Sequence, residues 1–104
     1  MKNFADLELA ARLADETRHL ETLQRRFPHD DEIKKRIDDI FARWRALNIK
    51  IIDENSEEIR QATDAGNVAV AHADATVKYL IGLSTTLNKA DHLIRALDRL
   101  LTLW

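Results

Sequence analysis

Apolar residues recur at alternating steps of four and three along most of this chain. Between Ile33 and Ile51 they fall at Ile33, Ile37, Ile40, Trp44, Leu47 and Ile51, a seam along one side of a helix. An earlier run, Leu9, Leu13, Leu20, Leu23 and Phe27, follows the same rhythm, with Glu16 standing in one core slot. Asn3 is a candidate N-cap for that run, and Pro28 disfavours helical backbone at Phe27, so the spacing predicts a first helix over 4–27. Asp30 caps a second helix, with Asp31 and Glu32 at the positive end of its dipole. Its seam continues through Asn55, Ile59 and Ala62, and Gly66 reads as the left-handed residue that stops it, which gives 30–65. Asn67 caps a third helix in which Ala69, Ala73, Thr76, Leu80, Leu83, Leu87, Ala90, Ile94, Leu97, Leu101 and Trp104 keep one phase, giving 67–104. Gly82, Ser84, Thr85, Thr86 and Asn88 form its weak stretch, where Asn88 with Asp91 would cap a fresh helix.

The expected architecture is a single all-α domain over 1–104. Two helices of about 54–57 Å form an elongated antiparallel hairpin, and the shorter first helix packs on one half. That is a three-helix bundle, or four helices if the last one breaks near Gly82–Asn88. The first helix should lie beside 30–55 and the segment from 80 to 104, leaving 56–79 as a bare two-helix tip. Ala62, Ala65, Ala69, Ala71, Ala73 and Ala75 are small enough for close packing there. The last helix carries more apolar surface than one stripe needs: Leu93, Ile94, Leu97, Leu100, Leu101, Leu103 and Trp104. Surplus of this kind marks an interface, so Leu93, Leu97, Leu100, Leu101, Leu103 and Trp104 are the predicted self-association residues of a homodimer.

Composition narrows the function. Two glycines and one proline in 104 residues leave little material for turns, in keeping with long helices. With no cysteine there is no disulfide framework, thiolate nucleophile or Cys-ligated metal. Sixteen basic against eighteen acidic residues give a charge of −2, the wrong balance for a protein that lives by neutralising phosphates. No apolar run approaches the ~20 residues of a membrane span, and the N-terminal stretch has no apolar signal-peptide core. A cytoplasmic protein is expected, with no membrane contact and no direct DNA binding.

Candidate chemistry is sparse. Glu16 and His19 have the Glu-x-x-His spacing of carboxylate-bridged di-iron bundles, but there is no second copy. Glu16 therefore reads as a polar register-setter bonding Asn55 or Ser84, and no metal or cofactor is expected. His72, amid small residues, is placed as a phosphotransfer histidine would be, without the pattern that accompanies one. Trp44-Arg-Ala46 lacks the glycine of the Trp-x-Gly that defines a group of secreted helical hairpins, so no family resemblance is drawn. Asp53, Glu54, Glu57, Glu58 and Asp64 concentrate acid around the middle of the second predicted helix, a surface for a partner with a basic face. The expected function is a non-enzymatic protein–protein interaction module that occludes or bridges a partner. Adaptors, chaperones and small inhibitors of the phage anti-CRISPR or anti-restriction type share this profile. A metal-dependent helical-bundle enzyme and a structural subunit of an assembly are the alternatives.

Overall fold

The computed structural model describes residues 1–104 and is an all-α bundle of four helices. Helix α1 spans Glu8–Arg26, α2 Asp31–Asn48, α3 Glu57–Val77 and α4 Leu83–Leu103. A single 3-10 turn at Phe4–Asp6 precedes α1, and two-residue strands β1 (Lys2–Asn3) and β2 (Ile51–Ile52) pair antiparallel at one end. The molecule measures 39 × 21 × 19 Å with a radius of gyration of 13.3 Å. That is the size of a compact domain of this length and shorter than either of the long rods expected from the periodicity.

Both long rods are broken, and neither break is at Gly66. The helix expected over 30–65 stops at Asn48. Ile49, Ile51 and Ile52 are β-branched and favour extended backbone, and β2 finds a partner in β1. Asp53 then makes an Asx turn, its Oδ1 accepting from the Asn55 amide at 3.0 Å. Ser56 restarts the chain as the N-cap of α3, accepting from the Ile59 amide, with Glu57 and Glu58 in the first turn. The rod expected over 67–104 breaks at 78–82, and α4 starts at Leu83, ahead of the Asn88 cap. Four helices result, as in the alternative with a broken last helix, but they are divided differently: the second break falls at 49–56 and α3 runs through Gly66.

The break after Val77 has a clear mechanism. Tyr79 amide bonds to the Thr76 carbonyl and Leu80 amide to the Ala75 carbonyl, the paired bonds of a Schellman motif. The residue in the left-handed slot is Tyr79, with φ 64°. Glycine normally fills that slot, and a bulky side chain there is strained by roughly 1–2 kcal/mol. Arg26 offsets this from α1: its guanidinium donates to the carbonyls of Thr76 and Val77 and lies 4.0 Å from the centre of the Tyr79 ring.

Two helical hairpins, α1–α2 and α3–α4, lie side by side, so that α1 runs parallel to α3 and α2 parallel to α4. Register along α2 and α4 is marked by two forked ion pairs one heptad apart. Arg36 reaches Asp91 at 3.0 and 3.1 Å, and Arg43 reaches Asp98 at 2.7 and 3.3 Å. The segment 56–79 is no bare tip, because α1 and α4 both pack on α3, whose Ala62, Gly66, Ala69 and Ala73 are buried. Gly66 is helical, in the interior of α3, and a Cβ there would lie 3.2 Å from the Arg12 Cβ and 3.4 Å from the Leu9 Cδ1. Its role is close helix approach, not termination. Gly66→Leu should force α1 and α3 apart and lower unfolding free energy by about 2–3 kcal/mol, read from the urea midpoint.

Candidate interaction surface at one end of the bundle

Strand pairing and chain direction bring β1, β2, the 49–56 linker, the start of α3 and the end of α4 to one end, called the base. Lys50 ties this end together, its Nζ donating to the Trp104 carbonyl at 3.0 Å. Alternation along β2 turns Ile52 into the core and leaves Ile51 60% exposed, while Ile49 is 86% exposed. Leu103 and Trp104 add further exposed apolar surface at the same end.

This redraws the predicted self-association residues. Leu93, Leu97 and Leu100 are fully buried in the core of the single chain, so they cannot meet a second copy without unfolding. The broad apolar face of α4 is consumed because α4 packs against both α3 and α2, where the expected arrangement set the short first helix in the place of α3. Leu101 is half-buried against that core, and only Leu103 and Trp104 of the predicted set stand exposed. Ile49 and Ile51 were missed as surface because the helical seam assigned Ile51 a core position.

The predicted acidic residues mostly gather here as well. Asp53 and Glu54 lie in the linker and Glu57 and Glu58 in the first turn of α3, at the base instead of a thin tip. The Met1 ammonium lies 2.9 Å from Glu54 Oε2 and holds that carboxyl below its ordinary range. Arg60, bonded to Glu57, does the same for that carboxyl. Asp53 and Glu58 have no cationic partner in the chain. Asp64 stands apart, two turns into α3, where it joins Glu8 and Glu54 around a cleft of about 490 Å³ floored by Leu7 and Ile59.

Glu16 and His19 diverge. His19 leaves the core: its Nδ1 is 2.8 Å from the Asp15 carbonyl and its Nε2 3.3 Å from Asp74 on α3. Lys78, and after it His19, hold the Asp74 carboxyl below its usual range. Glu16 is fully buried, and neither carboxylate oxygen has a hydrogen-bond partner. The expected bonds to Asn55 or Ser84 are absent, since Asn55 sits in the linker at the base and Ser84 on the first turn of α4. Burial alone raises the Glu16 pKa from 4.5 to about 8. His72 is half-exposed, its Nδ1 engaged by the Val68 carbonyl at 2.8 Å.

No protein-family model matches the chain, and no curated protein or solved structure is significantly similar to it.

Glu16 makes stability pH-dependent in a defined sense. The folded state keeps the Glu16 proton up to about pH 8, whereas the unfolded chain releases it near 4.5. Stability should therefore fall as pH rises through that window and level off above it, by on the order of 4 kcal/mol. Urea unfolding between pH 5 and pH 9 should show this decline, and Glu16→Met should flatten it and raise stability most at the alkaline end.

Proposed function

We propose that the chain is a non-enzymatic helical module for protein–protein interaction, acting by occluding or bridging another protein as an adaptor, chaperone or small inhibitor. The observation that carries this reading is the coincidence, at one end, of exposed Ile49, Ile51, Leu103 and Trp104 with the carboxylates of Asp53, Glu54, Glu57 and Glu58. Apolar groups beside charged ones are the anatomy of a docking face, in which the apolar centre supplies affinity and the charges select and steer the partner; here Asp53 and Glu58 are the carboxylates without a cationic partner in the chain. A basic partner surface complements these two. Self-association uses the same end, with Leu103 and Trp104 at the contact of a homodimer. No helix is long and apolar enough to cross a membrane, and the proposed site of action is the cytoplasm.

The test separates the two components of the face. Glu57→Gln with Glu58→Gln removes two charges at exposed and half-exposed positions in the first turn of α3, so thermal unfolding should shift downward only slightly while partner capture from source-cell extract drops about tenfold. Ile51→Lys with Leu103→Lys should abolish capture. Undiminished capture by both double variants would place the docking face elsewhere on the molecule.

A further inference from the structure

The turn between α3 and α4 is the one joint of the bundle free to straighten. At the α1–α2 turn, Pro28 disfavours helical backbone at Phe27. Between α2 and α3, β2 is anchored to β1, and the Asx turn at Asp53 holds the chain off a helical path. Residues 78–82 carry neither restraint. Instead Tyr79 is left-handed at φ 64°, a strain that a continuous helix would relieve. The apolar rhythm also runs through this turn without a change of phase. Ala73, Thr76, Leu80, Leu83, Leu87 and Ala90 keep alternating steps of three and four. Ala73, Thr76 and Ala90 are buried and Leu83 and Leu87 pack against the core, whereas Leu80 stands 74% exposed. Two helices joined by a turn have no need of a shared phase; one long helix does.

We infer that α3 and α4 join into one helix in a second form of the protein, a domain-swapped dimer in which each α4 packs into the bundle of the other copy. The fold itself names the occupant. An α4 that swings away from its own chain leaves a groove between α2 and α3 that another α4 fills contact for contact. The forked pairs Arg36–Asp91 and Arg43–Asp98 re-form across the dimer, so charge and shape match by identity. Because these contacts are common to both forms, the hinge and the protein concentration decide between them. Fusion over 57–103 gives a helix of about 70 Å. The two lobes then abut at the hinge, which brings the exposed Phe27, Tyr79 and Leu80 of both under cover. Arg26 is the latch of the closed form. Its guanidinium donates to the Thr76 and Val77 carbonyls at 3.3 and 2.9 Å and lies 4.0 Å from the centre of the Tyr79 ring. In a continuous helix those carbonyls accept from the amides of Leu80 and Ile81 instead. The hinge lies at the far end from the base, so this inference and the docking face stand or fall separately.

Size-exclusion chromatography after refolding over a concentration series tests this, because exchange requires α4 to undock and the two forms therefore interconvert slowly. Wild-type chain should give a monomer and, increasingly with concentration, a dimer about twice the 39 Å length of the monomer by small-angle scattering. Gly82→Pro should abolish the dimer. Gly82 has φ −79°, its amide donates no hydrogen bond, and an added Cβ meets nothing within 4 Å, so the closed turn accepts proline. A continuous helix does not. Arg26→Gln with Gly82→Ala removes the latch and the helix-weakening glycine, and should raise the dimerisation constant by about tenfold or more. The chain has no cysteine, so crosslinking identifies the contact. The Thr76 and Thr86 hydroxyl oxygens lie 2.5 Å apart across α3 and α4. Thr76→Cys and Thr86→Cys chains, refolded together and oxidised, should form a disulfide-linked heterodimer, since the swap sets position 76 of one chain against position 86 of the other. A dimer that gives no such crosslink, or that persists undiminished in Gly82→Pro, would overturn the swap in favour of a surface contact such as Leu103 and Trp104. A chain that stays monomeric at every concentration, the Arg26→Gln with Gly82→Ala variant included, would overturn it as well.

Discussion

Parallel packing of α1 on α3 is the contact on which the bundle depends. Two helices approach this closely only where side chains are small, and α3 presents Ala62, Gly66, Ala69 and Ala73 toward its neighbours, all buried. Because α1 covers α3 in this way, the two hairpins sit side by side instead of stacking end to end. α4 then closes against both α3 and α2, and the broad leucine face of α4 disappears into one core. The exposed apolar surface that remains is pushed mainly to the two ends, at Ile49, Ile51, Leu103 and Trp104 on one side and Phe27, Tyr79 and Leu80 on the other.

Much of the fold is legible in the spacing of apolar residues, and the parts that are not share one cause. Helical class, the end of the first helix and the start of the second follow from the seam, from Pro28 and from the Asp30 cap; the start of the first does not, since Asn3 lies in β1, its side chain caps nothing, and α1 begins at Glu8 instead of residue 4. The breaks do not, because a three-four rhythm survives across a short extended segment. Ile51 continues the seam numerically although it lies in a strand, and Ile59 resumes it after a new N-cap. Better signals were present: the Ile49–Ile52 run is rich in β-branched residues, and Ser56 followed by two glutamates is a helix start. Gly66 misled for the opposite reason. A lone glycine after a periodic run looks like a stop, yet here it is a contact residue whose meaning lies in Leu9 and Arg12, far away in sequence. The α3 terminator could not be read at all, since its left-handed position carries a tyrosine.

The candidate surface was legible by half. The acidic residues were identified from local density, which survives any rearrangement of the helices. The apolar residues were identified from surplus on one helix, and surplus depends on how many neighbours that helix acquires. Leu93, Leu97 and Leu100 are core because the second neighbour of α4 is α3, which runs its whole length, and not the first helix. Glu16 shows the converse: its place in the seam forecast burial correctly, but only the packed core reveals that nothing answers its carboxyl group.

The side-by-side hairpins also constrain how the chain folds. Each hairpin brings together residues close in sequence, but the contacts that join them, Arg36 with Asp91, Arg43 with Asp98 and His19 with Asp74, each span fifty-five residues. Loop closure over such a distance comes before any reward from those pairs, which slows folding relative to a purely sequential bundle. During synthesis the face of α1 that meets Gly66 has no partner until α3 has left the ribosome.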